Sequence, residues 1–196
     1  MITSVDRDDL PDGGADHWRQ TIEEVRRLNP HATIEVLIPD FGGRIASLDL
    51  VLESRPDVVA HNLETVRRLT PTVRHRATYE TSISVLRHIA ERGFVAKSGI
   101  MVGLGETPEE VKELFADCIE AGVSTLTIGQ YLRPSHQNIP VEEYVHPEQF
   151  RAYKKEGEAM GLSHVESGPL VRSSYRADQQ FEVAKERIDL KDLLRR

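Results

Sequence analysis

Short β-branched runs alternate along this chain with longer amphipathic stretches, at a spacing of roughly 25 to 35 residues. That rhythm restricts the fold more than any other feature. A parallel strand cannot follow its neighbour through a tight turn, so each pair needs a helical crossover of this length. The predicted strands are Ile2–Val5, Thr33–Ile38, Val58–Asn62, Phe94–Val102 and Thr125–Tyr131. The predicted helices are Asp16–Leu28, Arg44–Glu53, Glu80–Arg92, Thr107–Ala121 and Pro147–Met160. The clearest helix has Thr107 as cap, Pro108 in its first turn, Glu109 and Glu110 at the positive end and Gly122 as stop. Ile83, Leu86, Ile89 and Ala90 form one face of the helix that Gly93 ends. The strands are apolar on both sides, as buried parallel strands are. An α/β fold follows, either a full or partial β/α barrel or a doubly wound open sheet.

Met1 begins inside an apparent strand, where a charged α-amino group beside a buried sheet is costly and the strand has an open edge. The expectation is a longer natural polypeptide, the alternative being a short edge strand. Residues 181–196 form a charged, helix-prone tail.

In parallel β/α folds ligands bind at the carboxyl ends of the strands. Five polar or glycine-containing segments follow the predicted strands: Asp6–Gly14, Pro39–Gly43, His61–Thr65, Gly103–Thr107 and Gln130–Ser135. Together they outline a pocket. Gly13-Gly14 and Gly103-x-Gly105 are expected to leave backbone amides uncovered for a ligand, although an ordinary turn explains either pair alone. No Gly-Lys-Ser/Thr follows, so neither is a P-loop. Lys97 lies within a strand and needs an anionic partner if it points into the barrel.

The eight histidines show no zinc-site spacing, and His61, at a strand end, suits a structural role at least as well as a chemical one. Asp6, Asp8, Asp9 and Asp12 could suggest a divalent ion. A turn capped by Asp9, with the others solvated or paired to Arg7, explains them more simply. Cys118, the single cysteine, sits mid-helix between Leu114 and Ala121, excludes an internal disulfide and reads as a buried apolar residue. A net charge of −7 argues against a nucleic-acid partner. No apolar run is long enough to cross a bilayer and the acidic start is unlike a signal peptide, so a cytoplasmic protein is expected.

Several runs together resemble lipoyl synthase, a radical S-adenosylmethionine (SAM) family. They are Ile2–Ala15, Glu35–Phe41, His61–Val66, Lys97–Glu106, Gly129–Ser135 and Arg172–Tyr175, in the family's order and spacing across about residues 2–178. The resemblance implies a partial (β/α) barrel of the radical SAM type, here without its first β/α unit, as residues 1–178, followed by the tail 179–196. It implies sulfur insertion at C6 and C8 of a protein-bound octanoyl chain through 5′-deoxyadenosyl radicals. It implies two 4Fe-4S clusters and S-adenosylmethionine as cofactors. The partners implied are an octanoylated lipoyl carrier domain or glycine cleavage H-type protein, and an electron donor such as ferredoxin or flavodoxin.

Residue by residue, Ser173 matches the family's serine ligand to the auxiliary cluster. Asn62 and Glu64 match positions near S-adenosylmethionine, and Gly13 and Gly14 resemble the glycine motif at its methionyl end. Lys97, Gly103 and Glu106 resemble the adenosine-side wall, while Gln130, Tyr131 and Arg133 line the last strand end. The family's cysteine motifs are absent. Thiolates are the normal iron–sulfur ligands, so this chain alone is expected to be inactive, as a fragment, a non-catalytic remnant or one half of a split enzyme. A non-radical barrel enzyme, an aldolase or isomerase using Lys97 and Glu106, is the other alternative.

Overall fold

The computed structural model describes residues 1–177 and 179. Six parallel strands form one sheet: β1 (Ile2–Thr3), β2 (Glu35–Leu37), β3 (Val58–Ala60), β4 (Val95–Val102), β5 (Thr125–Gln130) and β6 (His164–Ser167). Their spatial order is their sequence order. A doubly wound sheet reverses direction at a switch point, whereas this one never does, so the open-sheet alternative gives way to a partial barrel. The crossovers carry α1 (Ala15–Leu28), α2 (Ile45–Glu53), the short α3 (Thr70–Val73), α4 (Tyr79–Glu91), α5 (Pro108–Glu120) and α6 (Pro147–Met160). The predicted tail, residues 181–196, lies outside the described residues.

Side chains alternate between the two faces of a strand. One set, Val36, Val59, Ala96, Ile100, Val102, Leu126, Ile128 and Val165, joins the hydrophobic core beneath the helices. There it meets Trp18, Ile22, Leu48, Leu86, Phe115 and Phe150. The other set includes Lys97, Gly99, Thr125, Thr127 and Gly129, small or polar residues on the concave face. The helix ends follow local chemistry. Thr107 and Glu110 form a reciprocal capping box, and Thr78 accepts from the Thr81 amide. Gly93 and Gly122 turn the chain after α4 and α5 with φ of 84° and 82°.

Three elements differ from expectation, the short α3 being one that the sequence reading did not include. β1 keeps only two residues in the ladder, and Val5 is 77% exposed. β6 has little strand signal in its own sequence, His-Val-Glu-Ser, and exists because β5 offers a pairing edge. Its outer edge is covered by α6: the Val165 amide donates to Glu158 (3.3 Å) and the Val165 carbonyl accepts from Lys154 (2.8 Å). On the opposite side, a groove of about 270 Å³ runs between β1 and α1, lined by Ile2, Val5, Gly14 and Trp18.

His61 locks β2, β3 and α4 together and is 2% exposed. Its Nδ1 lies 2.9 Å from the Ile38 carbonyl, which can only accept, so Nδ1 carries the proton. Nε2 then accepts from Ser82 Oγ at 2.9 Å, and Ser82 Oγ in turn accepts from Arg74 Nη1 at 2.7 Å. The structural reading of His61 stands. Burial, with the Arg74 charge nearby, lowers the imidazole pKa to about 4.

Two outcomes are expected. Leu126→Ala removes a fully buried core side chain and costs about 2–5 kcal/mol in urea unfolding, while Leu170→Ala, 78% exposed, stays within about 0.5 kcal/mol. The unfolded chain takes up a proton on His61 near pH 6.5 that the folded chain refuses until about pH 4, so stability falls as pH drops through that window. The loss is on the order of 3 kcal/mol. Urea midpoints of His61→Gln between pH 4 and 7 should lack that acid-side loss relative to the unsubstituted chain; an identical slope in both would count against it.

Candidate functional site

The concave face is built upward from a buried ion pair. Lys97 is 1% exposed, and an ammonium cannot sit there unpaired. Its Nζ donates to Glu35 Oε1 at 2.7 Å and to the Ser173 carbonyl at 2.8 Å. Burial lowers the Lys97 pKa, and the Glu35 carboxylate opposes that shift. Thr125, in register with Lys97, has a buried Oγ1 without a hydrogen-bond partner. The floor of the site is therefore polar and partly unsatisfied.

One step along the strands, two glycines make room for what lies above. A Cβ on Gly99 would stand 2.6 Å from Thr127 Oγ1 and 2.8 Å from Asn62 Oδ1. A Cβ on Gly129 would stand 2.3 Å from the Val171 carbonyl. Neither contact survives a side chain. Through this space the segment Gly168–Ser173 crosses the strand ends, with Gln130 donating its amide proton to the Pro169 carbonyl at 3.3 Å. Asn62 Nδ2 donates to Ser173 Oγ at 3.1 Å, across 111 residues of sequence.

Beside Asn62, Glu64 has a left-handed φ of 68° and bridges to β4: its amide donates to the Gly99 carbonyl (3.0 Å) and its carbonyl accepts from Met101 (2.8 Å). Burial raises the Glu64 pKa, with the Asn62 amide and the Arg74 charge pulling it down. Ser173, Asn62, Glu64 and Lys97 are thus brought together.

The remaining predicted rim residues are occupied within their own loops. The Gly13 amide donates to the Leu10 carbonyl (3.0 Å) and that of Gly14 to Asp12 Oδ1 (2.9 Å). The amides of Gly103 and Leu104 donate to the two Glu106 carboxylate oxygens at 2.6 and 2.9 Å. The expectation of uncovered amides at Gly13, Gly14 and Gly103 is therefore corrected: acidic side chains and turn carbonyls nearby cover them. Gln130 donates to the Tyr131 and Glu143 carbonyls and accepts from the Val145 amide, closing the loop after β5. Arg133 donates to the Asn138 carbonyl at 2.8 Å.

In the aspartate cluster the roles are exchanged relative to expectation. Asp9 pairs with Arg7, and Asp12 is the residue that caps, accepting from the Gly14 and Asp16 amides. Among the described residues no group of three His, Cys, Asp or Glu side chains suits a metal ion. Cys118 is fully buried on the core side of α5, where burial pushes its thiol pKa up. An iron–sulfur cluster needs several accessible thiolates, and this chain offers one inaccessible thiol and the Ser173 oxygen. Its own residues do not fit such a cluster.

Glu35 is the site residue that the sequence reading missed. An isolated acid inside the run Thr33–Ile38 is the available signal, since a carboxylate there needs a cation facing it, and Lys97 is the lone lysine inside a strand among the described residues.

The chain is similar to proteins named lipoyl synthase. It is 60% identical over 181 residues to that of Parabacteroides distasonis and 59% identical over 181 residues to that of Bacteroides thetaiotaomicron. Each alignment covers 92% of this chain and 64% of the relative, so the chain spans about 64% of their length. In fold it resembles a domain of pyruvate-formate lyase-activating enzyme from Bacteroides vulgatus (TM-score 0.59, 14% identity, 85% of this chain and 98% of that one). It also resembles Streptococcus suis SuiB bound to S-adenosylmethionine (TM-score 0.57, 11% identity, 81% and 36%). A sheet of parallel strands in sequential order, with its polar residues gathered on the concave face, agrees with the superfamily profile that matches residues 1–118: the chain belongs to the radical SAM superfamily.

Proposed function

We propose that the chain carries the barrel of a lipoyl synthase, the enzyme that inserts sulfur at C6 and C8 of an octanoyl chain held on a lysine of a carrier protein. The observation that carries the reading is Ser173, brought over the strand ends and hydrogen-bonded to Asn62 at 3.1 Å. The 55–60% identity to lipoyl synthases supports it. Unactivated C–H bonds lie beyond any side-chain acid or base, so S-adenosylmethionine and 4Fe-4S clusters supply the radical and the sulfur in the intact enzyme. The carrier is an octanoylated lipoyl domain or H-type protein, the electron donor a ferredoxin or flavodoxin, and the compartment the cytoplasm. No helix among the described residues is long and apolar enough to cross a membrane. In this reading residues 1–178 form the barrel core with the serine motif and 179–196 an appended tail.

What this chain's own residues contribute is position and exclusion of water. Asn62 orients the Ser173 hydroxyl, Lys97 holds the backbone of the same residue, and the two glycines let the segment seat closely. A serine oxygen is a hard ligand beside thiolates and is held weakly, which suits a centre that is dismantled for its sulfur. The single buried thiol also favours a second reading, that this polypeptide acts only together with another that brings the thiolates. An aldolase-type site is not favoured: Lys97 is committed to Glu35, and Glu106 to two backbone amides.

Incubation of the chain with iron and sulfide under reducing conditions should yield no brown cluster and no cleavage of S-adenosylmethionine. Joined to an N-terminal segment that carries the family's cysteine motifs, it should convert an octanoylated carrier to the lipoylated form, read by the carrier's mass. Ser173→Ala in that fusion should abolish sulfur insertion. A fusion that holds its clusters and cleaves S-adenosylmethionine, yet never adds sulfur, would sink the reading.

A further inference from the structure

We propose that Lys97 and Glu35 form a positioning device for the segment Gly168–Ser173: the buried ammonium is the clasp that holds the Ser173 backbone over the concave face. The tethering itself stands on geometry alone. What it is for, presenting the Ser173 hydroxyl to the chemistry, rests on the lipoyl synthase reading.

Lys97 is among the largest fully buried side chains of the described residues, on a face where its neighbours along β4 and β5 include Gly99, Thr125, Thr127 and Gly129. Burying an ammonium and a carboxylate seldom stabilises a fold relative to apolar residues of similar size, so core packing gives little reason for the pair. The pair does accomplish something a hydrocarbon cannot. With one proton committed to Glu35, the ammonium has another for a carbonyl, and it takes that of Ser173 at 2.8 Å. Ser173 is then held at two points, its carbonyl by Lys97 and its hydroxyl by Asn62 at 3.1 Å. Lys97 lies on β4 and Asn62 just beyond β3, while the start of the segment is seated on β5 by the Gly168 amide donating to the Ile128 carbonyl (3.0 Å), the Gln130 amide donating to the Pro169 carbonyl (3.3 Å) and the close approach of Val171 to Gly129. Of the two polar holds, the charge-assisted one at Lys97 is the stronger.

The segment's freedom can be read without cluster, S-adenosylmethionine or substrate. Ser173→Cys places a thiol at the tethered position, and Cys118, fully buried in α5, stays silent while the chain is folded. The rate of modification by a soluble aromatic disulfide, compared with the rate in denaturant, reports how firmly position 173 is held. Adding Lys97→Met together with Glu35→Gln removes both charges and the donor while keeping the side-chain shapes. The modification rate should rise about tenfold, the change expected for one lost charge-assisted hydrogen bond, with the thermal midpoint not lowered. Lys97→Arg, which keeps a buried cation and its donors, should stay near the slow rate. A double variant that folds and reacts no faster overturns the proposal, because a purely structural pair has no effect on position 173. Lys97→Met with Glu35→Leu is the second test of the same kind. Failure of both pairs to fold would make the ion pair a folding element and overturn the positioning role. The outcome is independent of sulfur insertion, so a chain that proves not to be a lipoyl synthase can still show the clasp.

Discussion

A positive charge inside the barrel sets the terms for everything on its concave face. Lys97 is 1% exposed, so its ammonium has to be neutralised and its protons have to be used. Glu35 on β2 answers the first requirement, and the Ser173 carbonyl helps to answer the second. Sheet and C-terminal segment are thereby joined by one side chain. The small residues nearby follow from the same demand for proximity: Gly99 admits Asn62, and Gly129 admits the Val171 carbonyl. Had either strand carried an alanine there, the segment could not lie where Lys97 and Asn62 hold it.

The fold was legible because its signals are local and repeated. A β-branched run followed by an amphipathic stretch with Thr107 as cap and Gly122 as stop leaves little freedom, and α5 occupies Pro108–Glu120. Strand order was not legible to the same degree. Five predicted strands with helical crossovers suit either a barrel or a doubly wound sheet, and only pairing decides between them. β6 escaped for a related reason: Val165 is the one strong strand former among its four residues, and β5 on one side and α6 on the other hold it in place.

Within the site, legibility divided by the kind of signal. Ser173 was marked by its run, Arg172–Tyr175, and the structure puts it beside Asn62. Lys97 was marked by an energetic argument, that a charge in a strand needs a partner, although the argument did not name Glu35. The glycines were read through a general rule, that they leave amides open, and the rule failed locally. Whether an amide is open depends on acids two or three residues away, and Asp12 and Glu106 lie at just that reach from Gly14 and Gly103. Gln130 and Arg133 show the same limit, since a polar side chain at a strand end serves its own loop as readily as a ligand.

The division has a consequence for how the two faces of the sheet tolerate change. The outer face is governed by volume, which apolar residues of similar size can share, so its constraint is spread over Val36, Val59, Leu126, Ile128 and their neighbours. The inner face is governed by pairing, and pairing is not shared. Without Glu35, Lys97 is a buried charge facing a carbonyl, which is worse than having no lysine at all. Without Lys97, Glu35 is in the same position. A change that begins at either residue is therefore tolerated only if the other changes with it, whereas a change at Leu126 can be absorbed piecemeal by the side chains around it. The concave face behaves as a single unit for that reason, and Ser173 is tied to it through Lys97, one member of a pair whose charges have to be kept or removed together.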